Sequence, residues 1–391
     1  MPDGNKLWVR AGSFAASVRQ GPDVRVWWKS SKPMDAGHSI VMQDVEQARR
    51  LALRHGWNAT AFQVVNPGIG HWFSADREAM AGYVASRGVR VVAGAPICAE
   101  ERLGEVMTAF EQDARSHRHR VCYFGAAGRV LSLIRDRPGY STVILGAQPV
   151  WNPAGWARII ATHASLRAQL FRARNKGVRV EEWSPAAAQD HPALRRVLAE
   201  WLARRALPPL HFLVEPETLD RLEGRRIFVA IRAGEPVGFV NCSPVPARAG
   251  WLTEQFIRGR EAPNGAVELL LDAAVRAVAA EGAQYVTMGL VPLSNQTWDA
   301  TWINPVWLRW ILTWVRAHGQ RFYNFAGLEQ FKAKFCPDSW ETIYAIANQP
   351  RFTPGMLYAI AHAFSRGSPL AAVGQGMLKA ARQELAWLWG S

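Results

Sequence analysis

From Val178 to Ala347 the apolar residues change period repeatedly, and that alternation leaves few folds open. Val178 to Trp183, Ile227 to Ile231, Val237 to Cys242, Trp251 to Arg258, Tyr285 to Gly289 and Trp340 to Ala347 are short strand-like runs. Pro192 to Arg205 and Ala266 to Glu281 instead repeat apolar residues at helical spacing. Ala233-Gly234-Glu235-Pro236 is the turn of a hairpin. Such a chain is α/β, with mixed sheets.

The N-terminal part alternates in the same way. Val45 to His55 reads as a helix, and Ala61 to Val65, Trp72 to Phe73, Met80 to Ala85 and Val89 to Ala93 read as strands. Glu100 to Ser116 has helical spacing and Val121 to Phe124 is a short strand. Turn formers crowd Gly146 to Gly155, which predicts a boundary there. At 391 residues the chain is too long for one average core. The expected division is 1–150, 151–350 and a helical tail, 351–391.

Hydrophobic residues are 49% and charged residues 20%, which excludes a disordered chain. A net charge of +14 calls for a polyanionic partner, nucleic acid or an anionic membrane, unless the chain is merely Arg-rich. Cys98, Cys122, Cys242 and Cys336 form no CxxC pair, so no metal site is expected, and free thiols fit a reducing cytosol. No run approaches the roughly 18 apolar residues of a membrane span, and Arg309 interrupts Trp307 to Val315. The expectation is a cytoplasmic protein, peripheral on the inner face of the membrane.

Four stretches, in order, resemble one family. They are LRAQLFRARNKG (Leu166 to Gly177), WLTEQFIRGREAPNGAVE (Trp251 to Glu268), YVTMGLVPLSN (Tyr285 to Asn295) and FYNFAGLEQFKAKF (Phe322 to Phe335). WFSADREAMAGYVASRGVRVVAGAPICAEE, Trp72 to Glu101, is similar to the first lobe of the same family. The chain is identified by these motifs as similar to the phosphatidylglycerol lysyltransferase C-terminal domain, in a form without the membrane-spanning half of the usual synthases. The resemblance implies two tandem acetyltransferase-like (GNAT) lobes, aminoacyl-tRNA as donor, a lipid hydroxyl as acceptor and no cofactor; a small-molecule acceptor, an acyl-CoA N-acyltransferase and a non-catalytic tRNA- or membrane-binding protein are the alternatives. It also implies substrate contacts at Glu268 and at Gln255, where an acidic residue is common in the family.

Aminoacyl transfer needs oriented reactants, a deprotonated hydroxyl and a stabilised oxyanion. Glu254 and Arg258 lie four apart on one strand, so alternation puts them on one face, to bind an ammonium and a phosphate or simply to pair. Asn264 and Gly265 precede a helix, where free N–H groups take an anion, or Asn264 caps it. Ser294 and Asn295 follow a strand, and Ser294 can donate to an oxyanion. Lys332 and Lys334 are either phosphate contacts or surface lysines. Arg167, Arg172, Arg174 and Lys176 suit a tRNA backbone or a solvated helix face. Trp307, Trp310 and Trp314 share a helical face, for the core or for a membrane interface. The tail, with Lys379, Arg382 and Trp387, suits an anionic leaflet.

Overall fold

Twelve strands and eleven helices answer to these periods among the described residues, which in the computed structural model are 36–205, 209–294, 296, 304–318 and 325–365. The chain divides into Met1–Met42 and Gln43–Ser391, and the sheet lies wholly in the latter. The strands are β1 (Gly70–Phe73), β2 (Met80–Ser86), β3 (Val89–Ala93), β4 (Arg120–Ala126), β5 (Ser141–Trp151) and β6 (Val178–Trp183). They continue with β7 (Arg226–Arg232), β8 (Glu235–Val245), β9 (Gly250–Arg258), β10 (Tyr285–Thr287), β11 (Val291–Pro292) and β12 (Ser339–Ala347). The helices are α1 (Ala36–His55), α2 (Leu103–Ser116), α3 (Gly128–Ile134), α4 (Trp156–Thr162), α5 (Ala164–Asn175) and α6 (Pro185–Ala188). After them come α7 (Pro192–Ala203), α8 (Ala266–Ala280), α9 (Val306–His318), α10 (Phe325–Ala333) and α11 (Pro354–Ser365).

The sheet is open and mixed, in the order β1-β2-β3-β4-β12-β5-β10-β9-β8-β7-β6, with β11 on β5. Its two parallel pairs are β3–β4 and β9–β10, connected through α2 and α8. These are the crossovers that parallel strands require. Each pair is extended by an antiparallel strand from the other half of the chain: β12 lies on β4 and β5 lies on β10. β5 and β12 then pair with each other along nine residues, Ser339 to Ala347. Ile343 to Ala347 are all buried, the continuous apolar run of a strand covered on both faces. Two halves of the chain thus share one sheet.

Several local expectations need correcting. Ala61–Val65 is a 3-10 helix, not a strand; all five residues are buried, and so short an apolar run carries no period to tell the two apart. Gly146 to Trp151 belong to central strand β5, and only Pro153–Gly155 turn. Gly146 (φ +148°) is there because a Cβ would lie 2.1 Å from the Val291 carbonyl, where β11 pairs against β5. The start of the expected tail is core: Met356, Ala359, Ile360 and Ala363 repeat at helical spacing and are buried with Phe352. Residues 366–391, with Lys379, Arg382 and Trp387, lie outside the described residues.

Replacing Gly146 by Ala should force β5 and β11 apart and cost about 1–3 kcal/mol, seen as a lower urea midpoint. Gly128→Ala, where a Cβ meets nothing within 4 Å, serves as the unaffected control.

Candidate active site

The site begins where two strands part. β9 pairs with β10 only from Gly250 to Leu252, then follows β8 alone to Arg258. Just past the parting β9 bulges: Thr253 faces Cys242 and Phe256 faces Val240, so Glu254 and Gln255 share the single partner position of Asn241. A cavity of 680 Å³ opens here, and Thr253, Glu254 and Gln255 line it. Met288, Gly289 and Leu290, after β10, form the other lip. Gln63, Asn58 and Gln148 come from the N-terminal half, while Leu308, Leu312, Ile360 and Phe364 bring apolar walls from α9 and α11.

Glu254 is held by a buried polar network. Its side chain is 8% exposed and that of Arg225 is 0% exposed. Arg225 Nε donates to Glu254 Oε1 at 2.8 Å, and Gln63 Nε2 donates to the same oxygen at 3.0 Å. Arg225 Nη1 donates to the Arg221 carbonyl at 2.7 Å and Nη2 to Asn66 Oδ1 at 3.2 Å. Asn66 Nδ2 in turn donates to Gln63 Oε1 at 2.8 Å. A buried charge survives only when paired and hydrogen-bonded in this way. Gln255 Nε2 donates to the Val214 carbonyl, and its Oε1 is buried without a partner among the described residues. Glu215, also on the cavity wall, pairs with His211 Nδ1 at 2.9 Å.

Lys332 is 6% exposed and anchors the opposite lip. Its Nζ donates to the carbonyls of Met288 (2.7 Å), Gly289 (2.8 Å) and Leu290 (3.2 Å). Burial pushes its pKa down to about 7. The three carbonyls favour the charged form, so proton and clamp are coupled.

The structure brings Glu254, Gln255 and Lys332 together at the cavity. It does not bring Arg258 there. The bulge breaks the even alternation: Phe256 packs under α8 and Ile257 under α7, which leaves Arg258 on the face opposite Glu254, exposed. Lys332 is neither a surface lysine nor a free cation, since three carbonyls occupy it. Lys334 and Glu268 pair with each other at 2.6 Å, away from the cavity lining. Gly265, not Asn264, is the N-cap of α8, with φ +94°, and a Cβ on it would meet the Gln169 carbonyl of α5 at 2.2 Å. Asn264 is exposed. Ser294 is buried beside the cavity's upper lip and accepts from the Gln296 N–H at 3.2 Å; Asn295 lies outside the described residues.

On α5, Arg172, Arg174 and Lys176 are exposed, while Arg167 folds back onto the Ala161 carbonyl. Arg174 also reaches Asp272 at 3.5 Å. The tryptophan stripe divides: Trp307 packs on the core, Trp310 is 74% exposed, and the Trp314 side chain lies outside the described residues. Gln63, Asn66 and Arg225 carry the network yet were not anticipated. Gln63 sat in the misread strand, and nothing in Gly224-Arg225-Arg226 marks which arginine turns inward.

The class of fold is an open mixed sheet whose parallel strands part over an amphipathic cavity. The sequence profile of the phosphatidylglycerol lysyltransferase C-terminal domain matches residues 48–347, and the chain belongs to that family. The fold is similar to the C-terminal domain assigned to a lysylphosphatidylglycerol synthetase of Agrobacterium fabrum, with TM-score 0.71 and 22% identity over 83% of this chain and 98% of that one. L-PGS from Bacillus licheniformis gives 0.68 at 22% identity, over 81% and 95%. FemX gives 0.52 at 9% identity, over 81% and 98%. Among curated proteins none matches the sequence.

Arg225→Met should leave Glu254 as an uncompensated buried charge and cost about 3–5 kcal/mol. The double variant with Glu254→Gln should recover part of that in denaturant melts. For Lys332, the unfolded chain keeps the proton up to its ordinary 10.5 while the folded chain releases it near 7. Between those values the unfolded state binds more protons, so this residue's contribution to stability rises with pH. The melting gap between wild type and Lys332→Met should therefore move in the wild type's favour from pH 7 to pH 10; a constant gap would contradict the assignment.

Proposed function

We propose that the protein moves an aminoacyl group from aminoacyl-tRNA to a hydroxyl of an anionic phospholipid such as phosphatidylglycerol, working at the cytoplasmic membrane surface. The observation that carries this reading is the amphipathic cavity, with a carboxylate at the strand parting and aliphatic and aromatic walls from α9 and α11. Glu254 Oε2 accepts no hydrogen bond among the described residues, which leaves it available to the α-ammonium of an aminoacyl ester. In the transfer, the lipid hydroxyl oxygen bonds to the ester carbonyl carbon and the bond to the ribose oxygen breaks. The hydroxyl proton ends on the released tRNA 3′ end. One ester replaces another, so the exchange is nearly balanced and needs no cofactor.

The exposed Arg172, Arg174 and Lys176 of α5, with Phe171 beside them, offer sequence-independent contacts to a nucleic-acid backbone. The tight packing of the Gly265 turn on α5 disfavours an acyl-CoA donor, because acetyltransferases use the equivalent turn for a pyrophosphate. α9 supports a membrane acceptor. It turns Leu308 and Leu312 to the cavity and leaves Val306, Trp310 and Ile311 exposed, as an interfacial helix does. No helix among the described residues is long and apolar enough to cross a membrane.

Ribonuclease should abolish transfer, and acyl-CoA esters should not substitute for aminoacyl-tRNA. Product from acyl-CoA without RNA would overturn the donor assignment. Trp310→Ser should weaken flotation with anionic vesicles while leaving the melting temperature within error of wild type.

A further inference from the structure

Arg129 carries a charge that no carboxylate among the described residues pairs with. It lies in the first turn of α3, just after β4, and Phe124 and Gly125 of β4 and Ala127 between the two elements line the cavity. Its guanidinium lies on the Trp57 ring, Cζ 4.7 Å from the centroid, and Nη2 donates to Asn58 Oδ1 at 3.3 Å. Trp57 and Asn58 are themselves cavity residues. Arg129 Nε is buried and donates to nothing among the described residues, and no carboxylate there lies in ion-pair contact with it. Arg248 stands over the same Trp57 ring, also at 4.7 Å, but its charge is met by both oxygens of Glu341 at 2.5 and 2.9 Å. Burial pushes the Arg129 pKa down to about 10, with Glu100 acting only through space and Arg248 repelling.

A half-buried guanidinium whose Nε is shut off from water, with no carboxylate in ion-pair contact among the described residues, is costly, and its planar fork matches a phosphate oxygen pair. We infer that Arg129, backed by Trp57 and Asn58, binds the phosphodiester of the acceptor phospholipid; this rests on the transfer reading above. A lipid fits better than RNA because of what adjoins the charge. Phe124 on β4 and Val143 and Leu145 on β5 continue the same wall as apolar surface, and Phe364 of α11 packs on Phe124 at 5.2 Å between ring centroids. One wall thus offers a phosphate contact followed by room for an acyl chain. The exposed basic side chains of α5 belong to the other half of the chain.

Calorimetric binding of short-chain phosphatidylglycerol and of short-chain diacylglycerol, which lacks the phosphate, tests this on the intact protein. Arg129→Gln should weaken the phospholipid by about ten- to hundredfold, the range of a charged hydrogen-bonded contact, and leave the diacylglycerol unchanged. Arg129→Lys, which keeps the charge without the fork, should fall between, and it carries the test should the Gln variant melt early. In the transfer assay the KM for phosphatidylglycerol should rise while that for aminoacyl-tRNA stays. Equal weakening of both lipids, unchanged phospholipid affinity, or a rise confined to the aminoacyl-tRNA KM would overturn the inference. Arg129-dependent phospholipid binding by a wild type that transfers nothing would uphold it and instead refute the transfer reading.

Discussion

The buried ion pair between Arg225 and Glu254 fixes a carboxylate at the point where β9 and β10 part. Glu254 sits on the bulge of β9, Arg225 leads into β7, and Gln63 and Asn66 reach in from the N-terminal half. Because the arginine is wholly buried, each member depends on the others for its hydrogen bonds. Both hydrogen bonds fall on Oε1 and orient the carboxylate at the cavity wall. A freely hydrated carboxylate would carry the same charge with no fixed direction, and orientation is most of what an ester exchange asks of a protein.

Lys332 plays the matching part on the other lip. A lysine that spends all three donors on consecutive backbone carbonyls acts as a strut, since a segment with its carbonyls turned one way has no strand partner to satisfy them. Between strut and ion pair the polar end of the cavity is rigid, while its far walls belong to α9 and α11. The same α9 turns aliphatic side chains inward and a tryptophan outward. That continuity links the cavity's shape to a membrane-borne acceptor in the proposed function.

Much of this was legible in the sequence. The strand and helix order from Val178 to Ala347 was read from period alone, and the motifs around Trp251 and Phe322 pointed to the family now shown for residues 48–347. Glu254 and Lys332 were named as site candidates, and both line the cavity. What failed did so for identifiable reasons. A bulge is one residue of register, invisible to an even-spacing argument, and it sends Arg258 to the other face. Ala61–Val65 is too short for its period to decide between strand and helix, which hid Gln63. Gly146 looked like a breaker, yet its missing side chain is what lets β11 pair against β5. Arg225 matters through Glu254, 29 residues away, and Asn66 and Arg129 through partners 159 and 71 residues away, separations that local patterning cannot span.

The central claim is that this cavity aminoacylates a membrane lipid. Mass spectrometry of lipid extracts from cells making wild type or Glu254→Ala tests it directly. The account predicts a new lipid, heavier than phosphatidylglycerol by one aminoacyl residue, in wild type and its loss in the variant. An unchanged lipid profile beside folded wild-type protein and charged tRNA, with the aminoacyl group found instead on a water-soluble product, would contradict it.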